Sequence, residues 1–299
     1  MADQPSLQFG LSVTPDAHDV AGMTALATAA DTTGLDLVAV QDHPYQAGFL
    51  DTMTVMAHLG AITGRVRLVT DVADLALRPT PMLAKAAASL DVLTGGRFEL
   101  GIGSGGFPDA VAGMGGRPAR GADAVTLTHE ALVLLRHALD AAGPVQLRSN
   151  HHDIAGYEPG PKTPHRVPLW VGAQKPRMLG LIGALADGWV SPLNIYVPPE
   201  EVPAKQALID QAAVAAGRQP TDVRRLYNVL GLIGEGRGRG LFGPVEVWAQ
   251  TLATWSVELD FDTFIFWPVA AHLDQARRFA EEVVPRVREI VREAPRSAP

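Results

Sequence analysis

RVRLVTDVADLALRPTPMLAKAAASLDVLTGGRFELGIGSGG, residues 65–106, carries in one run the pieces that decide the fold. Its opening, Val66–Asp71, is a short apolar run and reads as a strand. In Pro81–Leu93 the residues Leu83, Ala86, Leu90 and Leu93 fall on one helical face. In Arg97–Ile102 the residues Phe98, Leu100 and Ile102 alternate as in a strand. Strand, helix and strand in this order imply a parallel sheet with helices packed outside it. Four glycines, Gly101, Gly103, Gly105 and Gly106, then crowd the end of the second strand. A backbone so poor in side chains either merely turns or comes close to something flat and anionic.

The same rhythm runs through the chain. Leu7–Val13, Leu35–Gln41, Leu169–Val171, Gly188–Ser191, Arg225–Leu232 and Asp262–Trp267 read as further strands. Ala21–Thr33, Thr52–Thr63, Ala124–Ala141, Lys175–Ala186, Glu200–Ala216, Val245–Glu258 and Leu273–Val291 read as helices. Eight β/α units in 299 residues predict a (β/α)8 TIM barrel, one domain over residues 1–299. A doubly wound open sheet is the competitor that pattern alone leaves standing. Two stretches break the rhythm. Residues 143–167, with PVQLRS and HHDI, predict a hairpin insertion. GEGRGRGLFGP, residues 234–244, reads either as a plain surface loop or as a mobile lid over the barrel mouth.

Hydrophobic residues make up 47% of the chain and charged residues 19%, with a net charge of −7. The acidic balance argues against non-specific binding to nucleic acid or anionic membranes and leaves a small molecule as the expected partner. The absence of cysteine excludes disulfides, thiolate zinc sites and a cysteine nucleophile. MADQPSLQFG has neither a basic n-region nor an apolar h-region, and no apolar run approaches the ~18 residues of a membrane span. The expected compartment is the cytoplasm.

Barrel enzymes place their chemistry at the C-terminal ends of the strands. After the second strand stands QDHPY. Asp42 and His43 face opposite ways there, Pro44 holds His43 extended, and a fixed histidine can act as acid or base near neutral pH. The third strand ends in Asp71, equally suited to the catalytic rim or to a loop hydrogen bond. The glycine cluster that follows the fourth strand fits a Rossmann fingerprint poorly, because FPDA comes next in place of a long helix. After the fifth strand, Gly172–Lys175 precede a helix that opens with Pro176 and Arg177, which suits either a phosphate or an ordinary βα turn. Metal sites lack a ligand pattern, none of the four lysines lies inside a predicted strand, and no G-x-S-x-G elbow occurs.

Together LDLVAVQDHPYQ (35–46), residues 65–106, PLWVGAQKPRMLGLIGALADGWV (168–190) and FDTFIFWP (261–268) resemble the luciferase-like monooxygenase class of flavin- and deazaflavin-dependent oxidoreductases. The resemblance spans nearly the whole chain, and the 65–106 block is its most specific part. It implies a barrel with insertions and either coenzyme F420 or FMN at the mouth; DHP and the short length favour F420. It places His43 near the reactive edge of the ring with Asp42 in support. It sets Asp71 and Val72 at a non-prolyl cis peptide that backs the ring. Gly103, Ser104, Gly105 and Gly106 would pass the cofactor's tail, and Gln174, Lys175 and Pro176 would approach its phosphate. A homodimer is common in the class. Some deazaflavin enzymes of this kind carry a glutamate soon after the glycine turn; Gly106, Phe107 and Pro108 stand here, which speaks against a sugar-phosphate substrate.

The expected reaction is hydride transfer between the ring and a small organic substrate, with His43 moving the accompanying proton. With FMN the alternative is oxygen-dependent monooxygenation. An alternative from another class is a phosphate-binding isomerase or lyase using Lys175 and a carboxylate such as Asp71, and a third is a cofactor carrier or sensor. Tyr45, Phe49, Phe107, Tyr196 and Trp267 are expected to line the mouth and to suit an apolar or aromatic substrate.

Overall fold

The computed structural model describes residues 6–294. Eight parallel strands close into a barrel: β1 Gln8–Val13, β2 Leu37–Val40, β3 Arg67–Thr70, β4 Phe98–Gly103, β5 Leu169–Gly172, β6 Gly188–Leu193, β7 Arg224–Ile233 and β8 Thr263–Pro268. Each pairs with the next, and β8 returns to β1, so no open edge remains. The open-sheet alternative is thereby excluded. Helices α1 Val20–Thr33, α2 Thr52–Ile62, α3 Thr80–Leu93, α4 Ala122–Leu139, α5 Pro176–Leu185, α6 Val202–Ala215 and α7 Val245–Glu258 ring the strands.

Two apolar cores follow from strand alternation. Leu37, Ala39, Val69, Trp170, Val190, Leu226 and Ile265 point inward and fill the cylinder, while the opposite strand faces pack on the helices. Glu99 also points inward, where it accepts from Trp170 Nε1 at 2.8 Å and pairs with Arg67 at 3.1 Å. No described helix is long and apolar enough to cross a membrane.

The irregular pieces answer the sequence expectations one by one. Residues 143–167 contain the expected hairpin, Val145–Arg148 against Asp153–Tyr157. Glu130 on α4 pins its turn, accepting from Ser149 Oγ and from the backbone of Asn150 and His151. In the glycine-rich segment, Leu241–Gly243 pairs alongside β7, and Arg239 donates to the Ile195 carbonyl on the rim. Two features were not expected. A short helix, Pro108–Gly113, follows the glycine turn, with Pro108 in its first turn. The last helix is not uniform: His272–Arg278 passes through a π turn at Phe279–Val283 into Val284–Glu293. Pro285 supplies the reason, since it has no N–H for a regular turn.

Candidate active site

The C-terminal ends of β2, β3 and β4 bring most of the expected residues into one corner of the mouth. Asp42 leaves the end of β2 and is fully buried. Its two oxygens accept a fork of hydrogen bonds from Arg78, both 2.7 Å, and the Asp74 backbone adds a third at 3.0 Å. Arg78 also donates to Asp51 at 2.6 Å, the residue that caps α2. Burial works against the Arg78 charge, and the two carboxylates more than restore it. Asp42 therefore ties the β2 end to the β3 loop, and it reaches His43 through its charge rather than by a hydrogen bond.

His43 is half-buried, and its Nδ1 shares a 2.5 Å hydrogen bond with the Tyr45 hydroxyl. Phe107, expected in the mouth lining, stands edge-on to the imidazole at 5.5 Å and tilted against Tyr45 at 5.8 Å. Burial lowers the His43 pKa, and the Asp42 charge only partly opposes it, so the ring is neutral at pH 7. The Tyr45 pKa is pushed up to about 12, by burial first and then by Asp74 and Asp42. A protonated Tyr45 hydroxyl can donate to Nδ1 or accept from it. His43 Nε2 is left for a ligand, and the turn of the Tyr45 hydroxyl sets whether it carries a proton.

Beyond β3 the chain bulges inward, with the Asp71–Val72 peptide in the cis form. Thr70 fixes the approach, donating to the Gly101 carbonyl at 2.7 Å and accepting from its N–H at 3.0 Å. Val72 then occupies the space the glycines vacate. A Cβ on Gly103 would lie 2.7 Å from Val72 Cγ2, and one on Gly172 would lie 3.0 Å from the same methyl. Gly103 and Gly172 thus make room for this valine, while Gly101 makes room for the Thr70 carbonyl. Past the strand the roles differ. Gly105, with φ of 91°, makes the turn against the Asp74 carboxylate, half-buried Ser104 precedes it, and Gly106 has open space where a Cβ would stand.

Asp71 points into the cylinder and meets β7 on the far side. Asn228 Nδ2 donates to its Oδ1 at 3.3 Å and to the Ser191 carbonyl at 3.1 Å, while Trp267 Nε1 donates to Asn228 Oδ1 at 2.7 Å. Asp71 Oδ2 is out of contact with solvent and has no partner. Burial raises the Asp71 pKa to about 7 against the single Asn228 hydrogen bond.

Gln174, Lys175 and Pro176 stand on the neighbouring β5 rim. Lys175 caps α5 through its backbone alone, with no side chain on the first-turn N–H groups, and Pro176 opens the helix. The Lys175 and Arg177 side chains are exposed. Lys205 of α6 backs the loop, 3.4 Å from the Gln174 carbonyl. Of the remaining expected lining residues, Tyr196 is exposed, Trp267 is held by Asn228, and Phe49 bridges to Asp16.

Arg78, Asn228 and Lys205 did not stand out in the sequence. Asn228 had a signal: it is a polar residue at an inward position of a strand otherwise apolar from Leu226 onward. Arg78 and Lys205 are ordinary loop and helix cations until their partners are in place.

The arrangement fits a flat ring with an anionic tail. An apolar ledge at Val72, open backbone at Gly106 and an uncapped helix start at Lys175 follow one another along the rim. The fold and rim define a parallel (β/α)8 barrel with a bulge-backed mouth. The sequence profile of the luciferase-like monooxygenases matches residues 6–239, and the chain belongs to that family. It is 30% identical over 220 residues to a 5,10-methylenetetrahydromethanopterin reductase of Methanolobus tindarius, covering 73% of this chain and 63% of that protein. It is also 30% identical over 204 residues to a Mycobacterium tuberculosis protein provisionally named a coenzyme F420-dependent oxidoreductase, covering 64% and 56%. The chain therefore spans less than two thirds of the length of these relatives. Among solved structures, the coenzyme F420-dependent tetrahydromethanopterin reductase of Methanopyrus kandleri superposes with a TM-score of 0.81 at 17% identity, covering 94% of this chain and 99% of that one. An F420-dependent secondary alcohol dehydrogenase bound to an F420–acetone adduct gives 0.83 at 16%, with coverage of 94% and 99%. At these identities the likeness establishes the fold.

Proposed function

We propose that this chain is an oxidoreductase that seats coenzyme F420, or alternatively FMN, on the Val72 ledge and acts on a small organic substrate. The observation that carries the proposal is the meeting of His43, the Asp71–Val72 bulge and the β4–β5 glycines in one corner of the mouth. The F420-linked names of the relatives favour the deazaflavin.

A bound ring of either kind supplies hydride transfer. The chain's own residues do the rest. Val72 offers an apolar surface for one face of the ring, and the backbone at Ser104–Gly106 and the α5 start at Gln174–Pro176 hold its tail and phosphate. His43 Nε2 moves the proton: as a neutral imidazole it takes one from an alcohol, and in the reverse direction it returns one. Tyr45 orients that imidazole through Nδ1, and the Arg78 fork holds Asp42 in place beside it. Tyr45 and Phe107 give the substrate an apolar wall.

Absorption titration with F420 and with FMN tests the proposal. Saturable binding of either, with His43→Ala abolishing turnover and sparing binding, is the expected result. No binding of either ring, alongside tight binding of a small phosphorylated metabolite, would return the chain to the isomerase or lyase alternative.

A further inference from the structure

The mechanism above makes no use of the Asp71 carboxyl group, yet its placement is unusual. It follows the last residue of β3 and meets Asn228 of β7 across the barrel, immediately before the valine that forms the ledge. Among the described residues its one hydrogen-bond partner is Asn228, whose amide is fixed by Trp267 and the Ser191 carbonyl so that its NH2 faces the carboxyl group. Its second oxygen is enclosed and unpartnered. Among the described residues no cation compensates it. β1, β5, β6 and β8 carry no charged residue at all, and Arg224 and Arg225 of β7 are engaged by Asp262 and Asp210. Arg67 of β3 and Glu99 of β4 are paired with each other. After β2, Asp42 is ion-paired with Arg78, and His43 is bonded to Tyr45; in the bulge, Asp74 adds only a further acidic group.

We propose that Asp71 is a positioning residue that works uncharged: its carboxyl group must carry its proton for the mouth to accept an anionic ring on the Val72 ledge. This rests on the ring-binding reading above. A reduced flavin or deazaflavin loses a proton from its pyrimidine end near neutral pH and becomes an anion. A carboxylate beside the ledge with one enclosed, unpartnered oxygen and no compensating cation repels that anion, whereas the protonated acid does not. Burial pushes the Asp71 pKa up to about 7, which sets the change near neutral pH. The site then binds the reduced ring more tightly at the acidic side of neutrality and releases it as pH rises.

The test compares wild type with Asp71→Asn and, as a second uncharged variant, Asp71→Ser. Reduced FMN is titrated anaerobically across the neutral range, with oxidised FMN, whose ring stays neutral, as the control. The expected ratio of wild-type to variant Kd for reduced FMN rises about tenfold for each pH unit above the Asp71 titration. For oxidised FMN the ratio stays flatter. Infrared difference spectra of the ligand-free protein provide a second readout: a carboxylic-acid C=O band present below neutrality, lost at alkaline pH and absent from Asp71→Asn. A ratio constant with pH, or a band unchanged in Asp71→Asn, overturns the proposal. If neither FMN nor F420 binds the wild type, the ring-binding reading falls and takes this inference with it; binding with a constant ratio removes this inference alone.

Discussion

Replacing Asp71 by asparagine should stabilise the ligand-free protein, and the gain should grow with pH. The carboxyl group titrates at about 7 in the folded chain against an ordinary 3.8, because burial disfavours its charged form. The folded state therefore holds this proton more tightly than the unfolded state. Below 3.8 both states are protonated and the residue is neutral in its effect; between 3.8 and about 7 each rise in pH removes stability; above about 7 the full penalty applies. At 1.36 kcal/mol for each pH unit, that interval sets an upper bound of about 4 kcal/mol. Water entering the open mouth reduces it, so a gain of about 2–4 kcal/mol is expected for Asp71→Asn at pH 8. By the same arithmetic the gain at pH 5 is smaller by up to about 2.7 kcal/mol. Asparagine keeps the shape and can still pair with Asn228, so packing is unchanged. Urea unfolding of both proteins at pH 5 and pH 8, followed by circular dichroism, measures the difference. A stability difference equal at the two pH values, or a variant weaker at pH 8, would refute the account.

Three further outcomes follow from the same corner of the barrel. Arg78→Ala strands the fully buried Asp42 without its fork of hydrogen bonds and should cost about 3–5 kcal/mol by denaturant unfolding, with Arg78→Lys falling between; a loss below about 1 kcal/mol would contradict the role given to Asp42. Gly103→Ala drives a methyl into Val72 and should cost about 1–3 kcal/mol, and a double variant with Val72→Ala should recover part of it; strict additivity would show that the two residues do not compete for space. His43→Ala should lower kcat by about 10²–10⁴ with little change in cofactor Kd, and the acid limb of the wild-type rate profile should lie below the ordinary histidine value of 6.5 and move in Tyr45→Phe. Unaltered kcat in His43→Ala, or a profile indifferent to Tyr45, would remove the imidazole from proton transfer.

The β/α alternation, the eight units, the hairpin in residues 143–167 and the positions of His43, Asp71 and Gly103–Gly106 at strand ends were legible in the chain itself. Those features are local: side chains alternate every second residue on a strand and return every three to four on a helix, so order along the chain reveals them. What closed the cylinder and gave the rim its chemistry was not local. Arg78 finds Asp42 across 36 residues, and Asn228 finds Asp71 across 157. The space left by Gly103 and Gly172 is filled by a valine from a third strand end. A side chain's charge state and the occupant of a glycine's vacancy depend on which distant segments converge, and convergence is a property of the packed barrel, not of any stretch of sequence.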